Sequence, residues 1–169
     1  MIYTVSDIHG CYNKYRKLLK KINFGPDDTL YVLGDVIDRG PDGFKILLDM
    51  ARRSNVINLM GNHEAMAVQA LSHILCVVQQ GSGSALSEEA EEDVGLWFYN
   101  GGELSLADFL WLNEEETQTV WLLFLLQLHY TGFGVPFVYF FKLFFLFFPS
   151  RSFSSSPLSC LLFSRLPFA

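Results

Sequence analysis

The chain has 169 residues, with three cysteines and a formal net charge of −6. That length buries a real core without disulfides or a structural metal, and three scattered cysteines make neither a disulfide framework nor a zinc cluster. The acidic balance excludes a general nucleic-acid binder, which carries a basic face.

Ile2 to Ser6 is a short β-rich run that ends at Asp7. It follows no basic stretch or apolar run of the signal-peptide kind, so a cytoplasmic chain is expected. Cys11 to Ile22 reads as a helix, with Tyr15, Leu18, Leu19 and Ile22 on one face and Lys14, Lys17, Lys20 and Lys21 largely on the other. Thr29 to Leu33 predicts a second strand, bounded by Gly34 and Asp35. Pro41 to Arg53 predicts a second helix, with Asp42 as a first-turn acid and Arg52 and Arg53 complementing the C-terminal dipole. Asn55 to Met60 is a third strand, and Glu64 to Val78 a third helix. The order β-α-β-α-β-α predicts a parallel sheet with helices on its faces, an α/β fold. Gln79 to Asp93, with its GSGS and EEAEED runs, reads as a solvated loop leading into an acidic helix start. Trp97 to Leu112 reads as a short helical region around Gly101 and Gly102.

Composition then changes. Residues 1–116 carry 9 basic and all 18 acidic residues, a net −9, whereas 117–169 carry no acid and only Lys142, Arg151 and Arg165, a net +3. The second stretch also holds 12 of the 16 phenylalanines, so two regions are expected, 1–116 and a Phe/Leu/Ser-rich tail at 117–169. Val120 to Phe141 has no charged side chain over 22 residues, long enough for a bilayer span, although Gly132, Gly134 and Pro136 interrupt it. Membrane association through residues 120–148 is therefore one reading of the tail, and core strands another. The favoured expectation is a tail foreign to the fold that precedes it.

Three polar clusters sit just past the C-terminal ends of the three strands: Asp7-Ile8-His9-Gly10, Gly34-Asp35-Val36-Ile37-Asp38-Arg39-Gly40 and Gly61-Asn62-His63-Glu64. Asp7 to Asp35 is 28 residues and Asp35 to Asn62 is 27, about one βα unit each. Strand ends one such unit apart fall on the same sheet edge, where open α/β sheets place ligands. Asp7, His9, Asp35 and Asn62 offer carboxylate, imidazole and amide oxygen without thiolate, which suits Mn²⁺, Fe or Zn²⁺ in a hydrolytic centre. Asp7 and His9, two apart in a chain still extended, point to one side. Asp35 has two oxygens and could bridge two ions. Glu64 is read as a first-turn helix residue, and His73 and His129 as ordinary histidines.

DIHG, GDVIDRG and GNHE, in this order and spacing, resemble the signature of the calcineurin-like metallophosphoesterases. More narrowly they resemble the phosphoprotein phosphatase branch in its bacterial and phage lambda form, which NGGELSLADF at Asn100–Phe109 also resembles. The resemblance covers roughly residues 1–116 and implies a metallophosphoesterase half-domain, an incomplete sandwich. It implies Asp7 and His9 on a first metal, Asp35 bridging, Asn62 on a second, and hydroxide between the metals attacking phosphorus. It gives Arg39 the phosphate oxygens, and makes His63 and Asp38 the catalytic pair, His63 protonating the leaving alkoxide and Asp38 orienting it. The family pattern continues with two histidines on the second metal and another arginine, which neither His73 nor His129 matches. The implied activity is metal-dependent hydrolysis of phosphoserine or phosphothreonine in proteins, with two divalent ions, Mn²⁺ first. The alternatives are a symmetrical diadenosine tetraphosphatase and an inactive or membrane-associated remnant. The expected partner is a phosphoprotein or small phosphoester, with no nucleic acid.

Overall fold

The computed structural model describes residues 1–80 and 85–131. Its elements run β1 (Ile2–Val5), α1 (Tyr12–Lys21), β2 (Thr29–Val32), α2 (Gly43–Ala51), β3 (Val56–Asn58), α3 (Asn62–Gln80), α4 (Glu88–Tyr99), α5 (Gly102–Leu110) and α6 (Glu114–Thr131). The three strands form a parallel sheet of order β1-β2-β3, as expected where each connection is a helical crossover. Val5 pairs with Val32 and Val32 with Asn58, so the three strands end in one row across the sheet. The loops that follow therefore leave from one edge. This register is what brings the three polar clusters together.

Leu30 and Val32 of β2 and Val56 of β3 are buried, as are Phe44, Ile46, Leu47 and Met50 of α2, the helix that packs against β3. On α1, Tyr15 and Leu19 are buried while the four lysines face solvent. Asp42 stands at the N-cap of α2 without capping it. Its carboxylate meets Lys45 Nζ at 3.3 Å, and Asp108 of α5 instead accepts the Phe44 N–H at 2.9 Å. A carboxylate from another helix thus satisfies the free amide at this helix start. Arg52 forms the C-cap of α2, whose last turn holds no basic residue, so the predicted pair lies just beyond the helix.

The helical region predicted from Trp97 to Leu112 is two helices. The chain breaks at Gly101, with φ of 95°, a left-handed turn that glycine adopts without strain. Ser87 caps α4 through its hydroxyl, which accepts the Ala90 N–H at 3.3 Å. His73 and Gln69 of α3 both meet Asp93 Oδ2, at 3.0 and 2.7 Å, and tie α3 to α4.

The compositional break near Thr117 falls inside α6. Val120, Trp121 and Phe124 of that helix are fully buried. Phe124 lies 6.2 Å from Phe44, and Trp121 6.3 Å from Phe109, centroid to centroid. Edge-to-face rings at this separation are a favourable packing arrangement. Among the described residues no helix is long and apolar enough to cross a membrane. Of the proposed span from Val120 to Phe141, residues 132–141 lie outside the described residues, as do the GSGS run and the rest of the tail.

Candidate metal centre and active site

The loop after β1 crosses the loop after β2 through two backbone bonds. The His9 N–H donates to the Asp35 carbonyl at 3.0 Å, and the Gly10 N–H to that of Val36 at 2.7 Å. A side chain on Gly10 would run into the backbone of Gly40, and one on Gly34 into that of Gly61. These glycines are present because backbone meets backbone where the loops cross.

The third loop is joined to the second by Glu64, which in the sequence looks like any acid at a helix start. Glu64 does stand in the first turn of α3, but its side chain is fully buried. Oε2 accepts the N–H groups of Asp35 and Gly61, at 2.8 and 2.9 Å. Oε1 accepts those of Val36 and Ile37, at 2.7 and 3.2 Å. Burial pushes the Glu64 carboxyl above its ordinary value, while these four amides pull it the other way.

Within this frame, Asp7, His9, Asp35, Asp38 and Arg39 all have positive φ, between 46° and 66°. Among the described residues Asn23 is the only other non-glycine residue in that region. Side chains held in the left-handed region are over-determined by their surroundings and gather at functional sites. Asp7 and His9 are therefore not in extended chain, as their spacing suggested. A left-handed turn places them together, with Asp7 Oδ1 3.9 Å from His9 Nε2.

The His9 Nδ1–H meets the Ile37 carbonyl at 3.0 Å, which leaves Nε2 as the free lone pair. Such an orienting bond on the far nitrogen is the arrangement of a metal-ligating imidazole. Asp35 Oδ1 accepts the His63 amide at 3.2 Å, which sets its carboxylate beside His9. One ligand atom each of His9, Asp35 and His63 lies within 4.8 Å of the others, a group that could hold a cation. The bonds of His63 argue that it is not a ligand. Its Nδ1 lies 2.7 Å from Asp38 Oδ2 and its Nε2 3.1 Å from Arg39 Nη2. Since guanidinium only donates, Nε2 accepts and Nδ1 carries the proton. His9 and Asp35 remain from that group as imidazole and oxygen donors of the kind that suits a divalent cation, with Asp7 Oδ1 3.9 Å from His9 Nε2. Asn62 opens α3 and is exposed on the same edge. His129 lies in α6, with its side chain outside the described residues.

Asp38 and His63 are buried, and Arg39 is exposed above them. Two further residues hold Asp38. The Trp97 indole N–H lies 3.0 and 3.1 Å from its two oxygens, and its own N–H donates to Ser105 Oγ at 2.8 Å. Neither residue carries a signal in the sequence, because each contact spans about 60 residues or more.

A parallel α/β sheet thus gathers carboxylates, imidazoles and an arginine at one edge, where open α/β sheets place their ligands. The profile of the calcineurin-like phosphoesterases matches residues 1–139, and the chain belongs to that family. It is 42% identical over 64 residues to the symmetrical bis(5'-nucleosyl)-tetraphosphatase of Wigglesworthia glossinidia brevipalpis, covering 37% of this chain and 24% of that one. It is 35% identical over 103 residues to serine/threonine-protein phosphatase 1 of Salmonella typhimurium, covering 60% and 39%. Serine/threonine-protein phosphatase 2 of the same organism is 35% identical over 102 residues, covering 60% and 38%. The chain thus spans well under half the length of the curated relatives it matches.

Proposed function

We propose that this chain carries the catalytic half-site of a metal-dependent phosphomonoesterase, acting on phosphoserine or phosphothreonine in proteins. The observation that carries the reading is the buried Asp38–His63 pair, capped by the exposed Arg39, beside His9 and Asp35. Asp7, His9 and Asp35 would hold a divalent cation, with Asn62 and Asp35 offered to a second. When bound, such ions neutralise charge on the phosphoryl oxygens and supply a nucleophile at neutral pH.

The side chains have their own work. The Arg39 fork suits two phosphate oxygens, and a phosphoryl group draws it off His63 Nε2. That nitrogen, freed of the guanidinium, takes up a proton from solvent, and the resulting imidazolium passes it to the departing alkoxide. Asp38 keeps Nδ1–H pointed inward and stabilises the imidazolium charge.

The longer match to the protein phosphatases supports this substrate class. Symmetrical cleavage of a dinucleoside tetraphosphate is the second reading, supported by the higher identity over a shorter stretch. The test is Mn²⁺-dependent hydrolysis of para-nitrophenyl phosphate by the purified chain beside Asp35→Asn. Loss of a residue that merely orients a metal ligand reduces activity about 10–100-fold, so loss of the ligand itself should exceed about 100-fold. Equal rates in the two proteins would overturn the proposal. Relative rates on a phosphopeptide and on diadenosine tetraphosphate decide between the substrates.

A further inference from the structure

Asp38 and Arg39 are consecutive residues with φ of 66° and 64°. Left-handed backbone is unfavourable for an L residue, so such a pair persists only where outside contacts impose it. The segment from Trp97 to Ser105 supplies three of them. Trp97 Nε1–H reaches both Asp38 oxygens, Ser105 Oγ accepts the Asp38 N–H, and the Gly101 carbonyl accepts the Arg39 N–H at 3.0 Å. Gly101 is itself left-handed, and a β-carbon there would stand 3.1 Å from the Arg39 nitrogen. Trp97, Asp38 and Ser105 are all fully buried.

The indole N–H is the informative contact. A ring buried only for packing needs no polar edge, and phenylalanine would serve. Here the N–H sits almost equally far from two oxygens of one carboxylate, which fixes the carboxylate plane. Asp38 Oδ2 is the atom that His63 Nδ1 meets, so the indole sets the His63 ring through it.

We propose that Trp97, together with Ser105 and the Gly101 carbonyl, is a positioning clamp for the Asp38–Arg39 dipeptide and hence for the face His63 presents to a phosphoryl group. The part that concerns substrate rests on the function proposed above; the clamp itself is a property of the fold. Trp97 acts through Asp38 and touches no reacting atom.

Two measurements test it. In ¹H–¹⁵N spectra the Trp97 indole resonance is assigned by its loss in Trp97→Phe. Asp38→Asn and Ser105→Ala should each move it well beyond any movement of the Trp111 and Trp121 indoles. With para-nitrophenyl phosphate and Mn²⁺, Trp97→Phe should lower kcat about 10–100-fold with KM within about threefold. The same substitution in Asp38→Asn should lower kcat less than about twofold, because the group it acts through is already altered. An indole resonance unmoved by Asp38→Asn, or equal losses in both backgrounds, would overturn the clamp. If the wild-type chain hydrolyses nothing, the proposed function fails and the spectra alone decide the clamp. If Trp97→Phe does not fold, the indole assignment comes from Asp38→Asn and Ser105→Ala moving one resonance together, and separate movements refute the proposal.

Discussion

Replacing Glu64 with glutamine changes one oxygen to an amide nitrogen and little else in shape. Each carboxylate oxygen accepts two backbone N–H groups, Asp35 and Gly61 on one side, Val36 and Ile37 on the other. Whichever way the new amide turns, its NH₂ faces two donors. Two buried N–H groups left without an acceptor, at about 1–3 kcal/mol each, predict a loss of about 2–6 kcal/mol. That is a large share of the roughly 5–15 kcal/mol that holds a domain folded. With a urea slope of about 1–3 kcal/mol/M, the unfolding midpoint should fall by about 0.7 M or more. Circular dichroism during urea titration measures it directly. A variant within about 0.5 kcal/mol of wild type, the range of an unremarkable surface change, would refute the idea that Glu64 joins the second and third loops.

Other substitutions probe the same frame. Gly10→Ala places a methyl group against the Gly40 backbone at a φ of 63°, and should destabilise by about 1–3 kcal/mol from overpacking, with the left-handed strain added. Thermal unfolding with and without Mn²⁺ would show both the loss and whether the cation still stabilises the chain. Asp108→Asn keeps an acceptor for the Phe44 N–H but cannot ionise. Burial raises the Asp108 carboxyl, opposed by the Phe44 and Lys45 amides. The native chain therefore binds this proton more tightly than the unfolded chain, and its stability falls as pH rises from the ordinary aspartate value through the raised one. Denaturation at several acidic pH values should show that decline shallower in Asp108→Asn, and an unchanged slope would contradict it.

The strands and their shared edge were legible because apolar runs and βα spacing repeat locally. Asp7, His9, Asp35, Asp38, Arg39 and His63 were legible because each lies within a few residues of a strand end, flanked by glycine. The unread parts depend on distance in sequence. Glu64 looks like any acid at a helix start until Asp35, Val36 and Ile37 are brought over it. Trp97 and Ser105 sit in a segment whose own periodicity says only helix, and the partner that gives them meaning is Asp38. The Gly101–Gly102 pair was visible, yet a break is told from a tolerated glycine only when the Arg39 backbone closes on it. Residues after Thr117 looked foreign by composition, but burial of Val120, Trp121 and Phe124 against α2 and α5 depends on apolar surface and not on charge balance.

The left-handed conformation of five participants in the site, Asp7, His9, Asp35, Asp38 and Arg39, has a consequence for how this fold responds to change. Every one of those positions would be more comfortable as glycine, with no β-carbon to crowd the backbone. Their side chains are thus held against the local preference of the chain that bears them. Selection for stability alone would erode the site first, and the places where the fold gains by forgetting its side chains trace the outline of its chemistry.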